Sequence, residues 1–208
     1  LNYSQVLYNL TIMVKRSNSD ESRAEIVSSA KRLFQQYGYK KTTVSDIAKA
    51  MGKVKSAIYY YFPDKESLLR AVIDEEVGRL IWSIDDAVKN ASTPEEKLRV
   101  YALTRSFEIR RLSTEYARFQ EEYDQLFPLV KEIHERYDHF ERDTLKGILE
   151  VGMELGHFNK TDSEMLADAI LLWLKGLEAQ LSSFGSEEAL KEAVEHLVNV
   201  LLFGIKVR

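Results

Sequence analysis

The sequence predicts an all-α protein of about nine helices. Strict alternation of apolar and polar residues is sustained nowhere, and apolar residues instead recur at three- and four-residue spacing, as in Ile26, Ala30, Leu33, Phe34 and Tyr37. Only three prolines interrupt the chain, and each lies where a helix is expected to begin: Pro63, Pro94 and Pro128. The periodicity and the placement of proline therefore both favour helices throughout.

Turn and capping residues divide the first part of the chain into four helices. Gly38 ends the first helix, because glycine readily adopts the left-handed conformation that closes a helix. The second is predicted from Thr43 to Met51, the third from about Lys55 to Phe62, and the fourth from Asp64 to about Asn90.

Five further helices are predicted in the rest of the chain. Thr93-Pro94-Glu95-Glu96 combines a capping residue, a proline at the first helical position and acids at the positive end of the helix dipole, so the fifth helix begins there. Thr161 and Glu164 are spaced as a capping box. The remaining helices are expected near residues 114–124, 127–155, 162–184 and 186–206.

The composition bounds the kind of protein. A chain of 208 residues, 45% of them apolar, can bury a sizeable core. No apolar run approaches the roughly 20 residues that span a bilayer, and the first residues lack the order of a signal peptide, so we expect a soluble protein with no membrane partner. Zero cysteines exclude disulfides and thiolate metal sites, which fits the cytoplasm. No cofactor is predicted.

Charge is distributed unevenly along the chain. Residues 1–70 hold 12 Lys and Arg against 6 Asp and Glu, whereas the remaining residues hold 17 against 27. The N-terminal part is therefore basic and the C-terminal part acidic, although the whole chain carries only −4. Such asymmetry indicates that the basic part faces an anionic partner such as nucleic acid. Chance clustering of charges on solvated faces is the alternative.

Residues 42–62 describe two short helices around a glycine turn. One face of the first helix holds Val44, Ile47, Ala48 and Met51. On the second helix Ile58 and Phe62, four residues apart, share a face that packs against the first. Two helices packed across a short turn form a helix-turn-helix.

The other side of the second helix presents polar and aromatic groups. Helical geometry places Ser56 and Tyr60 nearly opposite Ile58, with Ala57 and Tyr59 on the flanks. Three consecutive tyrosines cannot all point inward, although core packing accounts for part of the third. Exposed aromatic groups need a partner, and DNA supplies one because phenolic hydroxyls bond phosphate oxygens.

A set of short motifs runs through this region, from about Glu25 to Leu69. They are Ala30-x-x-Leu33-Phe34, Gly38-Tyr39-x-x-Thr42-Thr43-Val44, Ile47-Ala48, Gly52, Tyr59-x-Tyr61-Phe62 and Lys65-Glu66-x-Leu68-Leu69. In these motifs the chain resembles the tetracycline-repressor (TetR/AcrR) family of transcriptional regulators. The resemblance implies a repressor that binds double-stranded palindromic operator DNA as a homodimer and is released by a small-molecule effector.

The resemblance also implies which residues contact DNA once the third helix enters the major groove. They are, in sequence order, Thr43, Lys55, Ser56, Ala57, Tyr59, Tyr60, Tyr61 and Lys65. The first three residues of the third helix face bases, since that end of a recognition helix lies nearest the base edges. Phosphates are held by Thr43, Tyr59, Tyr61 and Lys65. Tyr60 reaches either a phosphate or a base.

Two positions depart from the family pattern. Gly52-Lys53-Val54 stands where Gly-Val-Ser is common, so the usual apolar turn residue and the hydroxyl cap are both missing. Ser56 stands where glycine or proline is frequent. We expect these changes to alter the operator sequence rather than to abolish binding.

Operator binding of this kind requires a dimer, because two recognition helices must lie roughly 34–36 Å apart to read enough base pairs. The last two helices carry more apolar residues than one core-facing stripe needs. The predicted interface residues are Trp173, Leu177, Leu181, Phe184, Leu197, Leu201 and Ile205. In the family, these helices pair with their symmetry mates as a four-helix bundle; a wholly intramolecular core is the alternative.

The middle of the chain mixes aromatic with charged residues, a composition typical of a ligand pocket with a few orienting polar groups. The predicted pocket residues are Tyr101, Phe107, Arg110, Tyr116, Phe119, Tyr123, Phe127 and Trp173. Other candidate orienting groups are Arg105, Arg111, Arg118, Gln120 and His134. Ordinary core packing is the competing interpretation for each aromatic residue. An apolar or amphipathic effector is favoured.

Two other functions are compatible with parts of the sequence. A metal-dependent helical-bundle enzyme needs Glu-x-x-His pairs on two helices, but only Glu154-x-x-His157 exists, beside Gly152 and Gly156 at a helix end. Neither a metal site nor a catalytic residue is predicted, so the protein is not expected to be an enzyme. A helical adaptor that keeps the fold without binding an operator is the second alternative, motivated by the residues that depart from the family pattern.

These inferences predict three segments. Residues 1–18 form an N-terminal extension or arm, within which we expect Met13 to be the native start and residues 1–12 to be upstream sequence. Residues 19–67 form the three-helix, helix-turn-helix DNA-binding domain. Residues 68–208 form the effector-binding and dimerisation domain.

Overall fold

The computed structural model describes residues 18–118, 123–181 and 184–207, and gives only the backbone for residues 18, 123–136 and 179. Over these ranges the regular secondary structure is helical, apart from one isolated bridge between Phe158 and Lys206. The predicted all-α class is thereby confirmed. The predicted arm and the predicted start at Met13 lie outside the described residues.

Eight helices follow one another in the described part of the chain. They are α1 (Asn18–Tyr37), α2 (Val44–Ala50), α3 (Lys55–Tyr59), α4 (Lys65–Asn90), α5 (Pro94–Glu115), α6 (Tyr123–Glu154), α7 (Ser163–Leu181) and α8 (Glu187–Ile205). None of these helices is long and apolar enough to cross a bilayer.

The helix predicted near 114–124 is wrong as a separate element. Its first two residues end α5, where Tyr116 leaves the helical conformation while its amide still bonds the carbonyl of Leu112. Its last two residues begin α6, and residues 119–122 lie outside the description. Because α6 starts at Tyr123, Pro128 lies in its second turn and not at a helix start as predicted.

Two of the predicted capping signals can be compared with the structure. Thr93 caps α5 as predicted, since its hydroxyl accepts a hydrogen bond from the amide of Glu96 at 3.1 Å. At α7 the capping residue is Asp162 and not Thr161. Its carboxylate accepts bonds from the amides of residues 164 and 165 at 3.0 and 2.9 Å, because it directly precedes the first helical residue.

The chain divides into two compact units between Ile73 and Asp74, within α4. The first unit encloses a core in which no side chain is more than 3% exposed: Ile26, Ala30, Phe34, Ile47, Ile58, Phe62 and Leu69. Gly38, at a φ of 84°, ends α1 in the left-handed region as predicted. The buried hydroxyl of Thr42 then donates to the Gly38 carbonyl at 2.8 Å and fixes the path into α2.

The second unit is organised around α5, which packs against α6, α7 and α8. Its core includes Leu98, Tyr101, Leu145, Leu149, Phe158, Leu174, Val194 and Val198. Close packing explains one glycine of the sequence, because a methyl group at Gly152 would overlap the ring of Phe158. The segment after α6 and the end of α8 are joined by backbone bonds, including Asn159 N to Ile205 O at 2.7 Å.

Candidate nucleic-acid interface

The turn between α2 and α3 has a defined geometry set by glycine. Gly52 adopts a φ of 64°, and its amide bonds the carbonyl of Lys49 at 3.1 Å. The amide of Lys53 reaches back to the carbonyl of Ala48 at 2.9 Å. These two bonds form a Schellman motif, which closes α2 and fixes the direction in which the chain leaves it.

Helix α3 begins at Lys55 as predicted but ends at Tyr59, three residues earlier than predicted. Val54 occupies the N-cap without a side-chain hydrogen bond, as the missing hydroxyl implied. Pro63 prevents a helix from continuing past Phe62, but the chain already leaves the helix before that residue. Tyr60 is the C-cap, and Tyr61 lies beyond the helix.

The predicted base-reading side of α3 lies outward. Lys55 and Ser56 are exposed, Ala57 is half-buried, and Ile58 on the opposite side is fully buried. Tyr59 is 49% exposed and Tyr60 is 80% exposed. Exposure of this much aromatic surface on a helix held rigidly from behind is unusual for residues with only a packing role.

Tyr61 is half-buried, as expected for a residue with a partial core role. Its ring packs edge-to-face against Tyr60 at 4.9 Å between centroids. With Ser22, Ile26, Lys53 and Ala57 the two tyrosines line a cleft of about 290 Å³. The edge-to-face pair thereby forms one wall of a cleft beside α3.

Thr43 caps α2 in a reciprocal capping box with Asp46. Its hydroxyl donates to the Asp46 carboxylate at 2.6 Å and accepts from the Asp46 amide at 3.2 Å. The Thr43 side-chain and backbone bonds lower the pKa of Asp46 below its usual value. Thr43 is exposed, as a phosphate contact requires, but its hydroxyl already donates its proton to the Asp46 carboxylate.

Lys65 is half-buried at the first position of α4 and is engaged inside the first unit. Its ammonium donates to the carbonyl oxygens of Tyr39 at 2.9 Å and Thr42 at 3.1 Å. It also lies 4.0 Å from the centroid of the Tyr39 ring. The side chain therefore ties the start of α4 to the segment between α1 and α2, a role that the sequence did not predict.

Two further cations near α3 were missed by the sequence analysis as contributors to the site. Lys53 forms an ion pair with Glu25 of α1 at 2.9 Å. The guanidinium carbon of Arg23 lies 4.9 Å from the ring centroid of Phe62. Each contact joins residues that are far apart in sequence, so neither could be predicted from spacing. The sequence marked only Lys53, as a charged residue where the family commonly has an apolar one.

The predicted pocket residues that the structure describes make separate contacts within the second unit. Tyr101 is fully buried and donates to Glu141 at 2.9 Å, whereas Tyr116 donates to Glu76 at 2.9 Å. Arg110 donates to the carbonyl of Phe184 at 2.8 Å. Tyr101 and Tyr116 therefore belong to different polar clusters. Phe119 and the side chains of Tyr123 and Phe127 lie outside the described residues.

Phe107 lies in a groove of about 320 Å³ on the second unit. The groove runs between the end of α4 and α5 and is lined mainly by Ala87, Ala91, Val100 and Leu103. Trp173, another predicted pocket residue, is half-buried against the core of the unit.

Arg111 is surrounded by three carboxylates. It bonds Glu76 at 2.9 Å, Glu108 at 2.9 Å and Glu115 at 2.7 Å. Burial, the charge of Glu76 and the bond to it raise the pKa of Tyr116 above its usual value, so its hydroxyl stays protonated. Glu76 is 4% exposed and joins α4 to the end of α5.

The predicted interface residues lie closer to the core than expected. Leu181 is 1% exposed and packs wholly inside the second unit, so its side chain is not available to a partner. The others are half-buried: Trp173, Leu177, Phe184, Leu197, Leu201 and Ile205. The large exposed apolar side chains of α7 and α8 are Met165, Leu172, Val200 and Phe203.

No cluster of three or more metal-ligating side chains occurs among the described residues. The single Glu-x-x-His pair is not a ligand pair, because Glu154 is exposed and His157 instead faces Glu95, with Nδ1 3.0 Å from its carboxylate.

Residues 26–72 match the family model of bacterial regulatory proteins of the tetR family. Among curated proteins, the HTH-type transcriptional regulator EthR of Mycolicibacterium smegmatis is 34% identical over 94 residues, which are 45% of this chain and 42% of that protein. The chain spans less than half the length of the curated relatives it matches.

Two solved structures extend the likeness to both units. A transcriptional regulator from Cytophaga hutchinsonii is 25% identical, with a TM-score of 0.75 over 88% of this chain and 97% of that one. A regulator of the TetR/AcrR family from Thermobifida fusca is 24% identical, with a TM-score of 0.67 over 88% and 97%. The second likeness concerns the fold alone.

Proposed function

The chain belongs to the TetR family of bacterial regulatory proteins, and we propose that it is a transcriptional repressor that binds a palindromic operator as a homodimer and leaves it on binding a small effector. Members of this family are regulators and not enzymes. A repressor acts on the chromosome, so we place it in the cytoplasm.

One observation carries the proposal: α3 presents an exposed polar and aromatic side while its opposite side is buried. Lys55 and Ser56 are exposed at the end that would meet base edges. Tyr60 is 80% exposed, and Ile58 holds the helix from behind at 0% exposure. Lysine suits the acceptor atoms of guanine, and serine tolerates any base.

The remaining contacts in our proposal are to phosphates. Tyr59, Tyr60 and Tyr61 offer hydroxyls beside α3. For Thr43, a phosphate oxygen must take over the proton that Asp46 accepts in the free protein. Lys65 supports binding chiefly by holding the segment before α2, since its ammonium is directed at two carbonyl oxygens.

A second copy of the chain is the partner that we propose for α7 and α8. Met165, Ala169, Leu172 and Gly176 follow one another at helical spacing on the exposed side of α7. Val200 and Phe203 extend an apolar surface on α8. A stripe with small residues lets two helices approach closely, which suits a four-helix bundle between protomers.

The contacts of Glu76 could transmit a conformational change from a bound effector to the operator-binding helices. Its carboxylate accepts from Arg111 and Tyr116 at the end of α5, and it lies three residues after Ile73 along α4. An effector that displaces the end of α5 would therefore also displace α4 at Glu76, which is close in sequence to the first unit. We propose that this changes the population of operator-competent dimers.

The proposal is tested by selecting bound sequences from random duplex DNA with the full chain, at two salt concentrations. The expected result is an enriched palindrome bound more weakly at the higher salt, because phosphate contacts release counterions. Salt-sensitive binding without enrichment, or no binding, would favour a helical adaptor and contradict operator recognition. A Ser56→Asp variant is the matched control, since a carboxylate on the exposed side of α3 should repel phosphates without affecting the core.

A further inference from the structure

The core of the second unit contains a buried charged cluster. Arg105 of α5 is 1% exposed and its guanidinium binds the carboxylate of Glu141 of α6, which is 0% exposed, through Nε and Nη2. Nη2 also lies 2.5 Å from the carboxylate of Glu178 of α7. Tyr101 donates to Glu141 as well, at 2.9 Å. The cluster thus joins three helices.

Among the described residues, two polar atoms of this cluster have no partner within hydrogen-bond geometry. They are Nη1 of Arg105 and the hydroxyl of Tyr137, and both are buried. Burial and the negative charge of nearby Glu141 raise the pKa of Tyr137 well above its usual value. The hydroxyl therefore keeps its proton. Buried donors left without acceptors reduce stability, so they usually mark a place where water or a ligand atom belongs.

The charges of the cluster determine what kind of acceptor fits. Arg105 contributes one positive charge, whereas Glu141 and Glu178 contribute two negative charges. A ligand carboxylate would add a further negative charge inside a poorly solvated core, where repulsion is strong. A neutral oxygen, such as a ketone, lactone or amide carbonyl, accepts both bonds without that repulsion.

The cluster is also connected to the surface. Glu178 is 33% exposed, while its carboxylate touches the otherwise buried guanidinium. Entry of a ligand is therefore expected on the side of Glu178, the partly exposed member of the cluster.

From these observations we infer that the effector is a neutral, largely apolar molecule whose carbonyl oxygen accepts hydrogen bonds from Arg105 Nη1 and the Tyr137 hydroxyl. The inference rests on the proposed function, because it names the chemical class of the effector. In this inference the effector is oriented by two hydrogen-bond donors, Arg105 and Tyr137, and not mainly by the aromatic residues expected from the sequence.

The test compares two probes of equal chain length, 2-decanone and decanoate, on the full chain. Binding is followed by thermal unfolding and tryptophan fluorescence, and release is followed on the selected operator by fluorescence anisotropy. The ketone is expected to bind at least about tenfold more tightly than the carboxylate and to release DNA. Equal or tighter binding of decanoate, or no binding of the ketone, would overturn the inference.

Variants locate the site. Tyr137→Phe removes a hydroxyl that has no hydrogen-bond partner among the described residues, so the Tm should hold while affinity for 2-decanone falls about fivefold. Tyr101→Phe removes a hydroxyl that is bonded to Glu141, so it should lower the Tm. Unchanged ketone affinity in Tyr137→Phe would show that the ketone binds elsewhere. Arg105→Lys, which keeps the charge but lacks Nη1, should also weaken binding; if it fails to fold, Tyr137→Phe alone decides.

Failure of this inference is distinguishable from failure of the proposed function. Operator binding is measured without any probe, so a chain that binds a palindrome but not the ketone keeps its proposed function and loses only the effector class. A chain that binds the ketone but no operator leaves the effector site standing and contradicts the repressor.

Discussion

The ammonium of Lys65 lies 4.0 Å from the ring centroid of Tyr39 and donates to the carbonyl oxygen of the same residue at 2.9 Å. The start of α4 is thus held to the segment that precedes α2. The glycine turn fixes α3 relative to α2. The Lys65 contact therefore helps to position both helices of the helix-turn-helix.

We predict that Lys65→Met lowers the free energy of unfolding by roughly 1–2 kcal/mol, through loss of the two hydrogen bonds and the cation–π contact. Urea unfolding of the full chain measures it. Lys49→Met is the control, since that lysine is exposed on α2 and should change stability by less than about 0.5 kcal/mol. Equal stability of the two variants would show that Lys65 has no tethering role.

Gly152→Ala is expected to destabilise the second unit by roughly 1–3 kcal/mol, because the added methyl group overlaps the buried Phe158 ring. Gly147→Ala on the same helix meets nothing within 4 Å. It should instead stabilise by about 0.5–1 kcal/mol, since alanine loses less backbone entropy than glycine in a helix. Thermal unfolding of both variants checks the prediction, and changes of the same sign would refute the packing argument.

Glu95 is predicted to stabilise the fold in a pH-dependent way. Burial raises the pKa of its carboxyl, but bonds from its own backbone amide, His157 and Lys206 outweigh burial and lower the pKa below the usual value. Its contribution is therefore present above the pKa of the unfolded chain and is lost as pH falls through the lower folded value. The stability difference between the unmodified chain and Glu95→Gln, measured from about pH 6 to about pH 3, should shrink as pH falls. A constant difference would contradict this linkage.

Leu172→Asp and Phe203→Asp are each expected to convert the proposed dimer into a folded monomer. Both side chains are more than 70% exposed in the single chain, so an aspartate leaves the core unaffected but places a charge in the proposed interface. Sedimentation velocity measures the mass. Val54→Asp, at an exposed apolar residue of the first unit, should remain dimeric. A dimer that survives both substitutions would place the interface elsewhere.

Local signals were the most predictable part of the fold. Gly38, Gly52 and Thr93 end or begin helices where the sequence placed those events, because each acts on backbone groups within a few residues. The end of α3 was predicted three residues too late, because Pro63 limits the helix only at Phe62 and no glycine or proline marks the turn that begins at Tyr60.

Tertiary partners were less predictable. The sequence offered Tyr101 as a pocket residue and Leu181 as an interface residue, yet both are buried inside the second unit. Arg105 and Glu178 lie 73 residues apart and meet only because α5 and α7 pack together. Composition identified polar groups that suit a ligand site, but only packing shows which of them already have partners.

Selecting bound sequences from random duplex DNA with Lys55→Ala, beside the unmodified chain, tests whether α3 reads the operator. We expect a palindrome whose preferred base changes at the position facing residue 55, while the half-site spacing stays the same. An identical palindrome, bound uniformly more weakly, would show that Lys55 contacts only phosphate and would contradict base reading by the start of α3.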